Sequence, residues 1–157
     1  MPTEQPDRKV LLVVHHTTSP TLQTLLEAAL DGTRAAGLDD VEVRVRPALA
    51  ANVPDVLAAD GFLLGTPANI GYMSGALKVF FDLVYYPTLT AKVGAPYGLY
   101  VHGNSDTGGA TRAVESITKG MGWQRVHDPV SVIGTPDRSD TEAVWDLAAT
   151  VAATLLA

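Results

Sequence analysis

The stretch GFLLGTPANIGYMSGALKVFFDLV, Gly61 to Val84, decides the fold. Gly61 to Gly65 is apolar throughout, as a strand covered on both faces must be. Leu77, Phe80, Phe81 and Val84 then fall at i, i+3, i+4 and i+7, one apolar stripe of a helix. Ser74 stands where an N-cap is wanted, and Pro87 closes the helix. Between strand and helix lies Thr66-Pro67-Ala68-Asn69-Ile70-Gly71-Tyr72-Met73-Ser74, which reads as a polar loop. It is longer than the connection needs and rich in small and hydrogen-bonding residues. Loops at the carboxyl end of a parallel strand are where open α/β sheets hold ligands.

The same grammar repeats on either side. Lys9 to Val14, KVLLVV, is a central strand. After it, Leu22, Leu25, Leu26, Ala29 and Leu30 repeat at helical spacing. Ser19 is the N-cap, Pro20 suits the first helical position, and Gly37 is the expected C′ residue. Val41 to Arg46, VEVRVR, alternates and suits a strand near the sheet edge, with a short helix between Asn52 and Asp60. Ala95 to His102 is a fourth strand. The loop Gly103-Asn104-Ser105-Asp106-Thr107-Gly108-Gly109 follows, then a helix marked by Val114, Ile117 and Met121. The fifth strand lies within Gln124 to Ile133, chiefly Val130 to Ile133, broken at Pro129. Ser139 to Glu142 has capping-box spacing before a final helix carrying Val144, Leu147, Ala148, Val151 and Leu155.

Five βα units imply an α/β fold with a parallel sheet covered on both faces. Right-handed crossovers and a hydrophilic second strand favour the order 2-1-3-4-5, whose switch point lies between strands one and three. The loops after strands one, three and four then converge on one rim. All three are polar and rich in glycine or hydroxyl groups, which is the main functional signal in the chain.

At 157 residues, 46% hydrophobic and 18% charged, the chain reads as one globular domain, with Met1 to Asp7 a loose tail. The absence of Cys excludes disulfides, thiolate metal sites and cysteine nucleophiles. The start lacks the basic-then-apolar order of a signal peptide, and no stretch is apolar enough to span a membrane, so a cytoplasmic location is the expectation. A net charge of −6 argues against nucleic-acid binding.

The first loop, His15-His16-Thr17-Thr18-Ser19-Pro20-Thr21, offers hydroxyls and a helix amino terminus, which suit one phosphate. It carries no Lys for a nucleoside triphosphate, because none occurs between Lys9 and Arg34. The second loop, with backbone amides, Asn69 and Tyr72, suits a flat heterocycle with donors and acceptors along its edge. The third lets backbone approach closely. Other chemistries fare worse. Ser105 lacks the glycine setting of a nucleophile elbow. His127-Asp128 has no zinc-type spacing, and no metal site is expected. A response-regulator receiver would need acidic residues where His15 and His16 stand. Trp123 and Trp145 read as packing residues, while Tyr85 and Tyr86 stay open between solvent, substrate and a second subunit.

Gly65 to Asp82 resembles the flavin loop and following helix of the flavodoxin-like superfamily. It is most similar to the NAD(P)H:quinone oxidoreductase and NADPH-dependent FMN reductase branch, where G-[ST]-P-x-x-x-G-x-x-[ST]-G-x-[ML]-K/R-x-F-x-D recurs. The resemblance implies a flavodoxin-like three-layer sandwich with FMN as cofactor. It implies phosphate contacts at His16, Thr17, Thr18, Ser19 and Thr21, and ring contacts at Thr66, Pro67, Ala68, Asn69, Ile70, Gly71 and Tyr72. His102, Gly103, Asn104, Ser105, Gly108 and Gly109 would line the pyrimidine side. No side chain need be catalytic. Electrons would pass from NAD(P)H through the flavin to a quinone or similar small acceptor, in a homodimer or homotetramer. Two alternatives stand beside this: a flavodoxin-type electron carrier, and a flavodoxin-fold binding protein that has lost FMN. The enzyme is favoured because residues 103–110 hold no aromatic to cover the ring. The binding-protein alternative is motivated by Pro20, which stands where the family's phosphate loop has Gly and which has no N–H to give.

Overall fold

The computed structural model describes residues 8–157. The expected loose tail lies outside them. The elements run β1 (Lys9–His15), α1 (Pro20–Thr33), β2 (Val41–Pro47), a 3₁₀ turn (Ala48–Ala50), α2 (Val53–Ala58), β3 (Gly61–Asn69), β4 (Tyr72–Met73) and α3 (Gly75–Val84). They continue with β5 (Pro96–Gly103), α4 (Gly108–Gly120), β6 (Gln124–Arg125), β7 (Val130–Ile133) and α5 (Arg138–Thr154). The order across the sheet is β2-β1-β3-β5, with β6 and β7 both pairing with the far edge of β5. These pairings are parallel. Taking β6 and β7 as one interrupted strand, this is the 2-1-3-4-5 order, and the fold is flavodoxin-like.

Alternation along the strands splits the core into two layers. Val10, Leu12, Val14, Phe62 and Leu64 face the α2, α3 and α4 side with Leu77, Phe80, Phe81 and Val84. Leu11, Val13, Leu63 and Tyr100 face the α1 and α5 side with Leu22, Leu25, Val144, Leu147 and Val151. Each fully buried Leu, Val or Phe contributes about 1.5–3 kcal/mol of transfer free energy. Trp123 is core, its ring stacked on Phe62 at 3.8 Å, whereas Trp145 is partly exposed on α5. Tyr86 is exposed and meets the half-buried Tyr85 edge-on.

Several boundaries differ from the sequence reading. The third strand does not stop at Gly65: it continues to Asn69 and turns back as a hairpin, with Ala68 opposite Met73 and Asn69 opposite Tyr72. Pro67 is tolerated because pairing with β1 has ended at Gly65, so no ladder N–H is required there. α1 ends at Thr33, before Gly37. The last helix is capped by Asp137 with Asp140, each side chain accepting from the other's backbone N–H, and not by Ser139. Ser74 caps α3 as expected, its hydroxyl accepting from Leu77 N at 3.1 Å.

Candidate functional site

The three polar loops meet at the carboxyl rim of the sheet. Between them lies a cleft of about 280 Å³. Its walls are Thr18, Ser19, Thr21 and Leu22 from the β1–α1 turn, Pro67, Ala68 and Asn69 from the end of β3, and His102, Gly103 and Asn104 from the end of β5. A larger hollow of about 460 Å³ lies at the opposite rim, bordered by Lys9, Asp60, Lys92 and Thr154. The carboxyl rim is the better site on physical grounds: strand ends and a helix start point their polar backbone groups there, beside the switch point.

The first wall is held by Ser19. Its extended backbone (φ −147°, ψ 160°) ends the strand segment, and its hydroxyl accepts from Leu22 N at 3.1 Å. Behind it, His15 Nδ1 and Thr17 Oγ1 are 2.7 Å apart, so Thr17 is turned toward the histidine. Burial lowers the His15 pKa, and the neighbouring His16 charge lowers it further. His16 does not border the cleft, and its Nδ1 is buried without a partner. Leu22 was expected only as a helix-face residue. Its position one turn past the cap brings it into the wall as well.

The second wall is the hairpin. Thr66 is wholly buried, donating to Pro67 O at 2.8 Å and accepting from Ser74 N at 3.0 Å. It braces the hairpin from inside and does not line the cleft. The tip is a two-residue turn, Ile70 (φ 49°) and Gly71 (φ 70°), the positive-φ pair of a type I′ hairpin. Gly suits that conformation; a β-branched Ile there is strained. Ile70 is fully exposed and Tyr72 partly so. Gly71 and Tyr72 stand outside the cleft walls.

The third wall is tied from below. His102 Nε2 donates to Gly134 O at 2.8 Å, and Gly134 N donates to Gly103 O at 2.9 Å, joining β5 to the end of β7. The remaining residues of this loop turn away. Ser105 and Asp106 are exposed. Gly108 N donates to Asp106 Oδ1 at 2.8 Å, so that amide already has a partner. Gly109 packs against the hairpin: a Cβ there would overlap the Gly71 carbonyl oxygen. Its glycine is explained by close backbone contact between α4 and the turn. Thr107 pairs with Ser131 through their hydroxyls.

No Lys, Arg, Asp or Glu lines the cleft, and no Phe, Tyr or Trp does. Among the described residues there is no cluster of three or more metal-ligating side chains. Ser105, His102 and Asp106 form no triad, since His102 is bonded to Gly134 O and Asp106 to Gly108 N. The polar lining is backbone amides, hydroxyls, two asparagines and the His102 imidazole. That chemistry fits a planar, hydrogen-bonding ring with a polyhydroxyl chain, as FMN has.

Comparison with known proteins agrees. The family described as NADPH-dependent FMN reductase matches residues 14–151. A flavodoxin of Aquifex aeolicus (strain VF5) is 36% identical over 72 residues, covering 46% of this chain and 38% of that protein. The chain thus matches well under half of that relative's length. Among solved structures, a flavodoxin from the domain Archaea superposes with TM-score 0.79 at 18% identity, covering 94% of this chain and 99% of that one. A WrbA-like flavodoxin from Agrobacterium tumefaciens gives TM-score 0.73 at 18% identity, covering 94% and 98%. No helix among the described residues is long and apolar enough to cross a membrane. The chain belongs to the NADPH-dependent FMN reductase family, with FMN as cofactor on a flavodoxin-like fold.

Proposed function

We propose that this protein is an FMN-dependent NAD(P)H oxidoreductase that passes electrons to a quinone or similar small acceptor. One observation favours enzyme over electron carrier: no Phe, Tyr or Trp lines the cleft, and the loop of residues 103–110 holds no aromatic to cover a bound ring. A nicotinamide, and then an acceptor, can approach the ring in turn.

When bound, FMN would supply the redox chemistry, a two-electron hydride acceptor and donor between nicotinamide and acceptor. The net reaction consumes NAD(P)H, a proton and a quinone, and yields NAD(P)⁺ and a hydroquinone. The chain's part is to bind and orient. Thr18, Ser19 and Thr21 would hold the chain end of the cofactor, and Pro67, Ala68 and Asn69 would lie along one edge of the ring. His102, Gly103 and Asn104 would face the pyrimidine edge. His102 is fixed by its bond to Gly134 O and would act by shaping the backbone there. Ile70 and Tyr72, exposed on the hairpin beside Asn69, offer apolar contact to the ring rim or the incoming substrate.

Anaerobic mixing of the FMN-loaded protein with NADPH or NADH tests this. The flavin absorbance should bleach quickly and recover on adding a quinone. A flavin that stays oxidised with both nucleotides, yet exchanges electrons with a protein partner, would establish the carrier instead.

A further inference from the structure

We propose that Arg112 selects the nucleotide: its guanidinium binds the 2′-phosphate of NADPH, a group that NADH lacks. This rests on the NAD(P)H reading above and names the residue that chooses between the two donors.

Carboxylates outnumber cations in this chain, 17 to 11, so a cation without a partner stands out. Four cations lie toward the carboxyl rim. Arg46 is near the end of β2, Arg138 opens α5, and Lys78 and Arg112 lie in the first turns of α3 and α4. Three of them are paired: Arg46 with Asp55 at 3.6 Å, Lys78 with Asp82 at 2.5 Å, and Arg138 with Glu142 at 2.8 Å. Arg112 is exposed and pairs with no carboxylate among the described residues. Glu115, one turn further along α4, accepts instead from Arg125 at 2.8 Å.

Side chains on a helix lean toward its start. Arg112 accordingly reaches back over the first turn of α4, where a Cβ at Gly108 would stand 3.0 Å from its Nη1. Glycine at that position leaves the guanidinium its room. The same Cβ would stand 3.3 Å from Asp106 Oδ1, which accepts from Gly108 N at 2.8 Å. Asp106 in turn lies against the cleft wall, since a Cβ at Gly103 would be 3.2 Å from Asp106 O. Arg112 therefore stands on the shoulder of the third wall, just outside the cleft. A dinucleotide whose nicotinamide enters the cleft must carry its adenosine end out past a wall. A guanidinium fork at that point meets a phosphate with two charge-assisted hydrogen bonds. The cleft walls carry no Lys or Arg to compete, and Lys9 and Lys92 border the opposite rim.

Steady-state reduction of a quinone by the FMN-loaded protein, with each nucleotide in turn, tests the inference. The wild type should favour NADPH. Arg112→Gln should lower kcat/KM for NADPH about tenfold or more, through KM, because a hydrogen bond to a charged group is worth that much. NADH has no 2′-phosphate, and its kcat/KM should hold steady. Arg112→Lys keeps the charge without the fork and should fall between. Calorimetry with adenosine 2′,5′-bisphosphate reads the same contact without turnover: the wild type should bind it more tightly than Arg112→Gln by a similar factor. An unchanged melting temperature shows that the variant is folded. Equal loss with both nucleotides, no loss with either, equal binding of the bisphosphate, or a wild type that favours NADH would overturn the inference. If neither nucleotide reduces the flavin, the oxidoreductase reading itself fails and the inference falls with it.

Discussion

The β1–α1 loop and the β3–β4 hairpin face each other across the cleft, and they are built in opposite ways. The loop has a relaxed backbone, while His16 Nδ1 within it is buried without a partner. Ser19 caps its own helix, Thr17 turns to His15, and Pro20 presets the first turn. The hairpin holds Ile70 at φ 49° with its side chain in solvent, a conformation that costs an L-residue about 1–2 kcal/mol. It is held there from two sides, by Thr66 bonding Ser74 N and by Gly109 packed on the Gly71 carbonyl. Strain survives where surrounding structure over-determines it, and such places cluster at functional sites. The contrast teaches that backbone strain is concentrated on the hairpin side of the cleft.

The largest effect should come from removing the hairpin's support. Gly109→Ala pushes a methyl into the Gly71 carbonyl. Overpacking of this kind costs about 1–3 kcal/mol, offset by about 1 kcal/mol of helix propensity gained over Gly. Melting temperature should fall only modestly, while flavin affinity drops about tenfold or more as the turn shifts. Equal affinity for wild type and variant would mean that the turn is not part of the site.

A smaller effect of opposite sign is expected from Ile70→Asn. Asn is favoured at a type I′ turn and the Ile side chain buries nothing. The variant should be more stable by about 1 kcal/mol, raising the melting temperature by about 2–4 °C for a chain of this size. Flavin or acceptor binding should weaken at the same time. A variant that loses stability would show that the strain is absent and the contrast with the loop overstated.

The smallest effect belongs to the relaxed loop. The folded pKa of His15 lies below its ordinary 6.5 because of burial and then His16. The unfolded chain therefore takes up this proton at higher pH than the folded one. The stability contribution is complete above about 6.5 and is lost as pH falls from there toward the folded value. Denaturant melts at stepped pH should show this decline in the wild type and a flatter profile in His15→Gln.

Much of this was legible in the residues. The runs KVLLVV and GFLLG, the alternation of VEVRVR and the stripe Leu77-Phe80-Phe81-Val84 fixed the layers and the order, because a doubly covered strand and an amphipathic helix leave unambiguous periods. The convergence of Thr18, Asn69 and Asn104 on one slot followed from the switch point alone. The hairpin did not, for two reasons. Pro67 normally argues against a continuing strand, and Ile-Gly is not a pair that announces a type I′ turn. Gly108 and Gly109 read as ligand-approach glycines, since sequence cannot distinguish closeness to a ligand from closeness to another backbone.

The central claim is that a flavin occupies the cleft at the carboxyl rim. An amide NMR titration of the assigned protein with FMN tests it most directly. Thr21, Asn69, Gly103 and Asn104 should shift together and saturate, while Lys92 and Gly94 at the opposite rim stay still. Shifts centred on Lys92 and Gly94, or none anywhere, would contradict it.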